Sequence, residues 1–223
     1  YHMPSARVVD GAGRLSGMVT VDDIVDVISE ESEEDLLRLA GVSEAAQTDS
    51  VLRSVRARAP WLLVNLGTAV VASAVISAFE GSIDQLVALA VLMPIVASMG
   101  GNAGTQALAV AVRAIAVRDL TESNAPRYVA REVMTAISNG LIFATVLATV
   151  VLLWFQNAVL AVAIALAVLI NFACAGLAGI LVPLTLRRFG ADPAVSSSVF
   201  VTFVTGLIGF LAFLGPATVI LLR

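Results

Sequence analysis

Five long apolar stretches constrain this chain more than anything else in it: Trp61 to Phe79, Leu86 to Ala111, Val133 to Phe155, Ala158 to Leu186 and Val195 to Leu222. Wound as α-helix, at about 1.5 Å per residue, each is long enough to cross a hydrocarbon layer about 30 Å thick. A backbone in lipid has to satisfy its own hydrogen bonds, and a single span can do so only as a helix. The sequence therefore predicts an all-α membrane protein with five transmembrane helices. The charged fraction of 13% and the mean hydropathy of +0.95 fit lipid as the main solvent, not water.

Charge divides the chain into two unlike parts. Residues 1–50 hold eleven acids against Arg7, Arg14 and Arg38, whereas residues 51–223 carry ten arginines and six acids. With five spans, Arg53, Arg56, Arg58, Arg113, Arg118, Arg127, Arg131, Arg187 and Arg188 fall on one side, and only Arg223 on the other. Because arginine is retained on the cytosolic side, this predicts a multi-pass protein of the cell inner (cytoplasmic) membrane, N-terminus cytosolic and C-terminus external. The outer connections hold Glu80 and Asp84 in one and Gln156 and Asn157 in the other.

Ahead of the membrane, Gly13 to Val19 reads as a turn and a short strand. Thr20-Val21-Asp22-Asp23 then supplies a helix N-cap with acids in the first turn. The helix that follows puts Ile24, Val27 and Ile28 on one face and a dense carboxylate run of Asp26, Glu30, Glu31, Glu33, Glu34 and Asp35 around it, before Gly41 breaks the pattern. Ser43 to Arg58 is polar enough to connect into the membrane. The organisation predicted is a short α/β piece over 1–40, a connecting helix over 41–60 and a five-helix membrane domain over 61–223. The carboxylate run has two readings: a solvated acidic surface, or a cluster whose mutual repulsion a divalent cation relieves.

Several chemistries lack raw material. His2 is the sole histidine and Cys174 the sole cysteine, so a zinc site, a catalytic triad or an internal disulfide has almost nothing to build on. No phosphate loop is present, and no enzyme activity and no nucleic-acid partner are expected. Cys174 reads as small packing filler. Asn139 and Asn171 read as hydrogen-bond partners between helices, Arg113 as an interfacial anchor, and Gly176 and Gly179 as points of close helix approach.

The most informative segment is Pro94-Ile95-Val96-Ala97-Ser98-Met99-Gly100-Gly101-Asn102-Ala103-Gly104-Thr105-Gln106, which sets glycines and amides deep in the second span. Pro94 removes a backbone donor, so protein or water has to adjoin this helix, which is expected inside the bundle. Gly100 and Gly104 form a small-xxx-small pair. One reading is close packing with Asn102 and Gln106 bonded across helices. The other is a pore wall, where carbonyls and amides face a hydrated hard cation.

This segment resembles the signature of the MgtE family of magnesium channels and transporters. The resemblance continues in Gly13-Arg14-Leu15-Ser16-Gly17-Met18-Val19-Thr20-Val21-Asp22-Asp23, similar to the end of that family's second CBS domain. It continues again in Glu31-Ser32-Glu33-Glu34-Asp35, similar to the start of its connecting region, and in Gly190-Ala191-Asp192-Pro193-Ala194, similar to the entry of its fifth span. It implies a homodimer in the lipid bilayer with a pore on the symmetry axis, carrying Mg2+ inward and closed by cytosolic Mg2+. The pore wall so implied comprises Gly100, Gly101, Asn102, Gly104, Gln106, Thr202, Thr205 and Gly206. Asp23, Asp26, Glu31, Glu34 and Asp35 match the cytosolic sensing positions, and Asp192 matches an acid at the pore mouth. Asp192 followed by Pro193 is equally a good helix N-cap.

One departure stands out. The family pattern places an aspartate where this chain has Gly206, so the two carboxylates a dimer would bring near the axis are absent. The oxygens left are those of Thr202, Thr205, Asn102 and the backbone near Gly206. Magnesium transport is therefore the expected function, and the alternative is a divalent-cation paralogue that is non-conducting or altered in selectivity, for cobalt or nickel transport or for sensing.

Overall fold

A computed structural model describes residues 5–39, 50–121, 123–190 and 193–221, and of these the side chains of 31–39, 57, 193–196 and 220–221 lie outside the description. The chain opens with an antiparallel hairpin of β1 (Ser5–Val9) and β2 (Leu15–Thr20), pairing Ser5 with Thr20 and Arg7 with Met18. Only the second strand was legible as a strand. Asp10 makes the turn: its carboxylate accepts the backbone N–H groups of Ala12 and Arg14, each at 2.9 Å, while Gly13 takes φ +77°.

Helix α1 (Val21–Leu39) starts where the sequence predicts, through a reciprocal cap. The Asp23 carboxylate accepts from both the backbone N–H and the hydroxyl of Thr20 at 2.7 Å, and the Thr20 hydroxyl accepts from the Asp23 N–H at 3.3 Å. These bonds to its charged form hold the Asp23 carboxyl below the usual aspartate range.

Among the described residues, five helices are long and apolar enough to cross a membrane: α2 (Val51–Ser77), α4 (Ala88–Ala116), α5 (Ala125–Phe155), α6 (Ala158–Arg188) and α7 (Pro193–Leu221). The short α3 (Glu80–Gln85) joins α2 to α4, and its Ser82 hydroxyl accepts a bond from Thr218 of α7 at 2.9 Å. Two differences from the sequence reading bear on the membrane boundary. The arginine-rich segment ahead of Trp61 and the first span form one helix running through Pro60, because the carbonyl that Pro60 leaves free lies in the polar end of α2. Helix α5 begins eight residues before its apolar stretch, and this extension of about two turns bears Arg127 and Arg131.

Helix α6 is the hub. It is apolar all round, half of its membrane window is buried, and it packs against α5, α7 and α4. The core joins Leu92 and Val96 of α4, Ile164, Val168 and Phe172 of α6, and Phe213 and Leu214 of α7. Helices α5 and α6 are antiparallel and joined by Gln156 and Asn157 alone; Gln156 ends α5 in the left-handed conformation and the Asn157 side chain caps α6 by accepting the Leu160 N–H at 3.0 Å. Helix α2 lies at the edge, packs mainly on α7, and leaves its apolar length uncovered within the protomer.

Candidate functional site

The signature segment forms the middle of α4 and presents two opposite faces. On the inner face, Val96, Gly100, Gly104 and Leu108 recur every fourth residue and are buried. Gly100 is held by contact: a Cβ there would run into the Asn171 amide of α6. At Gly104 a Cβ would stand 2.6 Å from Val201 Cγ1 and 3.2 Å from Thr205 Cγ2, both on α7. One turn further on, a Cβ at Gly179 of α6 would collide with Ala107. The glycines thus let three helices approach at backbone distance.

Asn171 sits at the centre of this junction, fully buried, with Gly100 on one side and Gly209 of α7 on the other. Its Nδ2 donates to the Val96 carbonyl at 2.9 Å, and its Oδ1 has no partner among the described residues. The interhelical role read from the sequence is the one it takes. Asn139 differs: it lies exposed on the outer face of α5.

The outer face of α4 is polar. Pro94, Ser98, Asn102, Thr105 and Gln106 are all exposed on the protomer surface, so Pro94 lies on the open side of α4 while the opposite face of the helix packs inside the bundle. Thr105 satisfies itself by donating to the Gly101 carbonyl at 2.9 Å, as hydroxyls in membrane helices often do. Ser98, Asn102 and Gln106 have no side-chain hydrogen bond among the described residues. Lipid is a poor solvent for unpaired amides, so this stripe calls for water, an ion or a second polar surface.

Helix α7 borders that stripe along the contact Gly104 makes with Val201 and Thr205. Thr202 is exposed and Gly206 half-buried, with nothing within 4 Å of where its Cβ would stand. Thr205, by contrast, is fully buried and donates to the Val201 carbonyl at 2.9 Å. Of the predicted wall, then, Asn102, Gln106, Thr202 and Gly206 reach the open surface with the partly covered Gly101, while Gly100, Gly104 and Thr205 form the packing behind it. Asp23 and Asp26 are exposed on α1, Glu31, Glu34 and Asp35 fall on α1 with side chains outside the described set, and Asp192 is outside the described residues. Among the described residues no three His, Cys, Asp or Glu side chains come together. The residue the sequence reading undervalued is Asn171: its partner carbonyl lies inside the signature, a link that helical periodicity alone does not reveal.

Fold and surface together define an all-α, five-span membrane protein with a glycine-backed polar stripe on one helix. Residues 93–216, which include that stripe, match the family described as MgtE, divalent cation transporter. The chain belongs to the MgtE family. It is 36% identical over 218 residues to the magnesium transporter MgtE of Enterococcus faecalis, covering 98% of this chain and 48% of that protein. It is 33% identical over 220 residues to the magnesium transporter MgtE of Bacillus subtilis, covering 98% and 49%. With the magnesium transporter MgtE of Thermus thermophilus it shares 33% over 228 residues, covering 99% and 50%. The chain spans about half the length of these relatives.

Proposed function

We propose that this chain is the membrane part of a magnesium transporter, in which two copies set their α4 stripes and the α7 residues Thr202 and Gly206 around a wet axial passage. The observation that carries the reading is the row of Ser98, Asn102 and Gln106, polar and unpartnered on the outer face of a membrane helix. Mg2+ gives up its water reluctantly, so neutral amides and carbonyls suit a hydrated ion passing through water-mediated contacts. The names of the three relatives, all magnesium transporters, support the choice of ion. The nine arginines on one side support a cytosolic N-terminus and inward movement of Mg2+ down its gradient. Asp23, Asp26, Glu31, Glu34 and Asp35 are then the cytosolic sensor, which Mg2+ would neutralise to close the passage, and Asp192 draws cations to its inner mouth.

The open space at Gly206 favours a second reading. A passage without an axial carboxylate pair holds a divalent ion more weakly, which suits a non-conducting member or one of altered selectivity. Proteoliposomes enclosing a magnesium-sensitive dye test both, using the parent chain and Gly206→Asp. Magnesium flux in both forms supports transport by the parent; flux in the variant alone supports the second reading; and no divalent flux in either removes the transport proposal.

A further inference from the structure

The outer face of α5 carries two grooves in line that the transport reading leaves unused. The first is a shallow, open hollow along α5 alone, lined by Arg127, Arg131, Met134, Thr135, Ser138 and Asn139. The second, about 490 Å3, lies between α5 and α6, with Leu141, Thr145, Ala148 and Leu152 on one wall and Ala165 and Leu166 on the other. Residues 127, 131, 134, 138, 141, 145, 148 and 152 recur at three- and four-residue steps, so both grooves follow one strip of the helix.

Most polar groups lining these surfaces are already satisfied. Thr135, Ser138, Thr145 and Thr149 each donate to the carbonyl four residues back, at 2.8–3.0 Å. Arg127 and Arg131 have no carboxylate partner, and the Asn139 amide no hydrogen bond, among the described residues. Depth assigns these groups. The stacked rings of Trp154 and Phe155 mark one membrane interface. Some 20 residues of helix, about 30 Å, lead back from them to the neighbourhood of Thr135. Arg127 and Arg131 therefore stand in the headgroup layer, Asn139 one turn beneath it, and the apolar groove begins directly below.

We propose that this face of α5 binds an anionic glycerophospholipid: Arg127 and Arg131 hold the phosphate, the Asn139 Nδ2 donates to a glycerol ester carbonyl, and one acyl chain lies in the α5–α6 groove. Two guanidinium groups select a net negative headgroup over a zwitterionic one. The contiguous apolar groove selects a lipid over a free phosphate. The assignment does not depend on which ion, if any, crosses the protein.

The test is native mass spectrometry of the whole chain, with phosphatidylglycerol and phosphatidylcholine of identical acyl chains, and with glycerol 3-phosphate as soluble competitor. The expected result is retention of phosphatidylglycerol over phosphatidylcholine by roughly 10-fold or more. Arg127→Gln with Arg131→Gln brings the two lipids to parity, and each single variant falls between. Ala148→Phe, which fills the groove, lowers retention of both lipids and leaves their ratio intact. Equal retention by the parent chain, an undiminished preference in the folded arginine variants, or displacement by glycerol 3-phosphate would overturn the site. So would disulfide trapping of two copies through Asn139→Cys, which would show the face covered by a second protomer.

Discussion

The Asn171 Nδ2 donates to the Val96 carbonyl oxygen at 2.9 Å, joining residues 75 positions apart and fixing the middle of α6 to the first third of α4. Its amide occupies the space that Gly100 and Gly209 leave open. Asn171→Ala removes the bond and opens a cavity between three helices. The expected loss is about 1–3 kcal/mol, read as a lower unfolding midpoint in detergent. An unchanged midpoint would show that the bond contributes nothing net.

Gly100 and Gly101 are adjacent and should respond in opposite directions. A Cβ at Gly100 meets the Asn171 amide, whereas at Gly101 nothing lies within 4 Å. Gly100→Ala is expected to cost about 1–3 kcal/mol through overpacking. Gly101→Ala is expected to be neutral or to stabilise by up to about 1 kcal/mol, since alanine loses less entropy than glycine in a helix. The same denaturation assay ranks them, and equal destabilisation would contradict the two-faced geometry of α4.

At Gly206 the question is the solvent its open side meets. If that side is wet, Gly206→Asp folds with a stability within about 0.5 kcal/mol of the parent, and added Mg2+ raises its midpoint more than the parent's. Were it to face lipid instead, the carboxylate would cost about 3 kcal/mol and Mg2+ would offer no protection.

Acid should release the start of α1. The Asp23 carboxyl titrates below its ordinary range because it accepts the backbone and hydroxyl hydrogens of Thr20. A depressed folded value means that the cap's contribution is present above the unfolded aspartate range and is lost as pH falls through the folded one. Amide hydrogen exchange at Val21 to Asp26 should lose protection in that window while the membrane helices keep theirs. Asp23→Ala should lack the protection at neutral pH as well.

The spans and the α1 cap could be read in the sequence because each follows from residues close together: apolar runs as long as a bilayer is thick, and a threonine three residues before an aspartate. The polar stripe was only half legible. Its residue types are visible, but Asn102 and Thr205 differ by which way each helix is turned, and that orientation is set by Asn171, Val201 and Ala107 from distant parts of the chain. The carbonyl that Pro94 frees needs protein or water beside it, and the sequence does not say which; helix rotation places it on the open side with Ser98 and Asn102. Strand β1 escaped notice because Ser-Ala-Arg-Val-Val lacks a clear alternation; it exists by pairing with β2. The two α5 arginines read as orientation markers, and only the strip they share with the α5–α6 groove gives them a further use.

The two-residue turn at Gln156 and Asn157 limits how this protein can move. A link so short has no slack to let α5 slip along α6 by a helical turn of about 5.4 Å. The pair therefore resists axial sliding, and in the dimeric passage proposed above, widening beside α4 would fall to α4 and α7 moving against this pair.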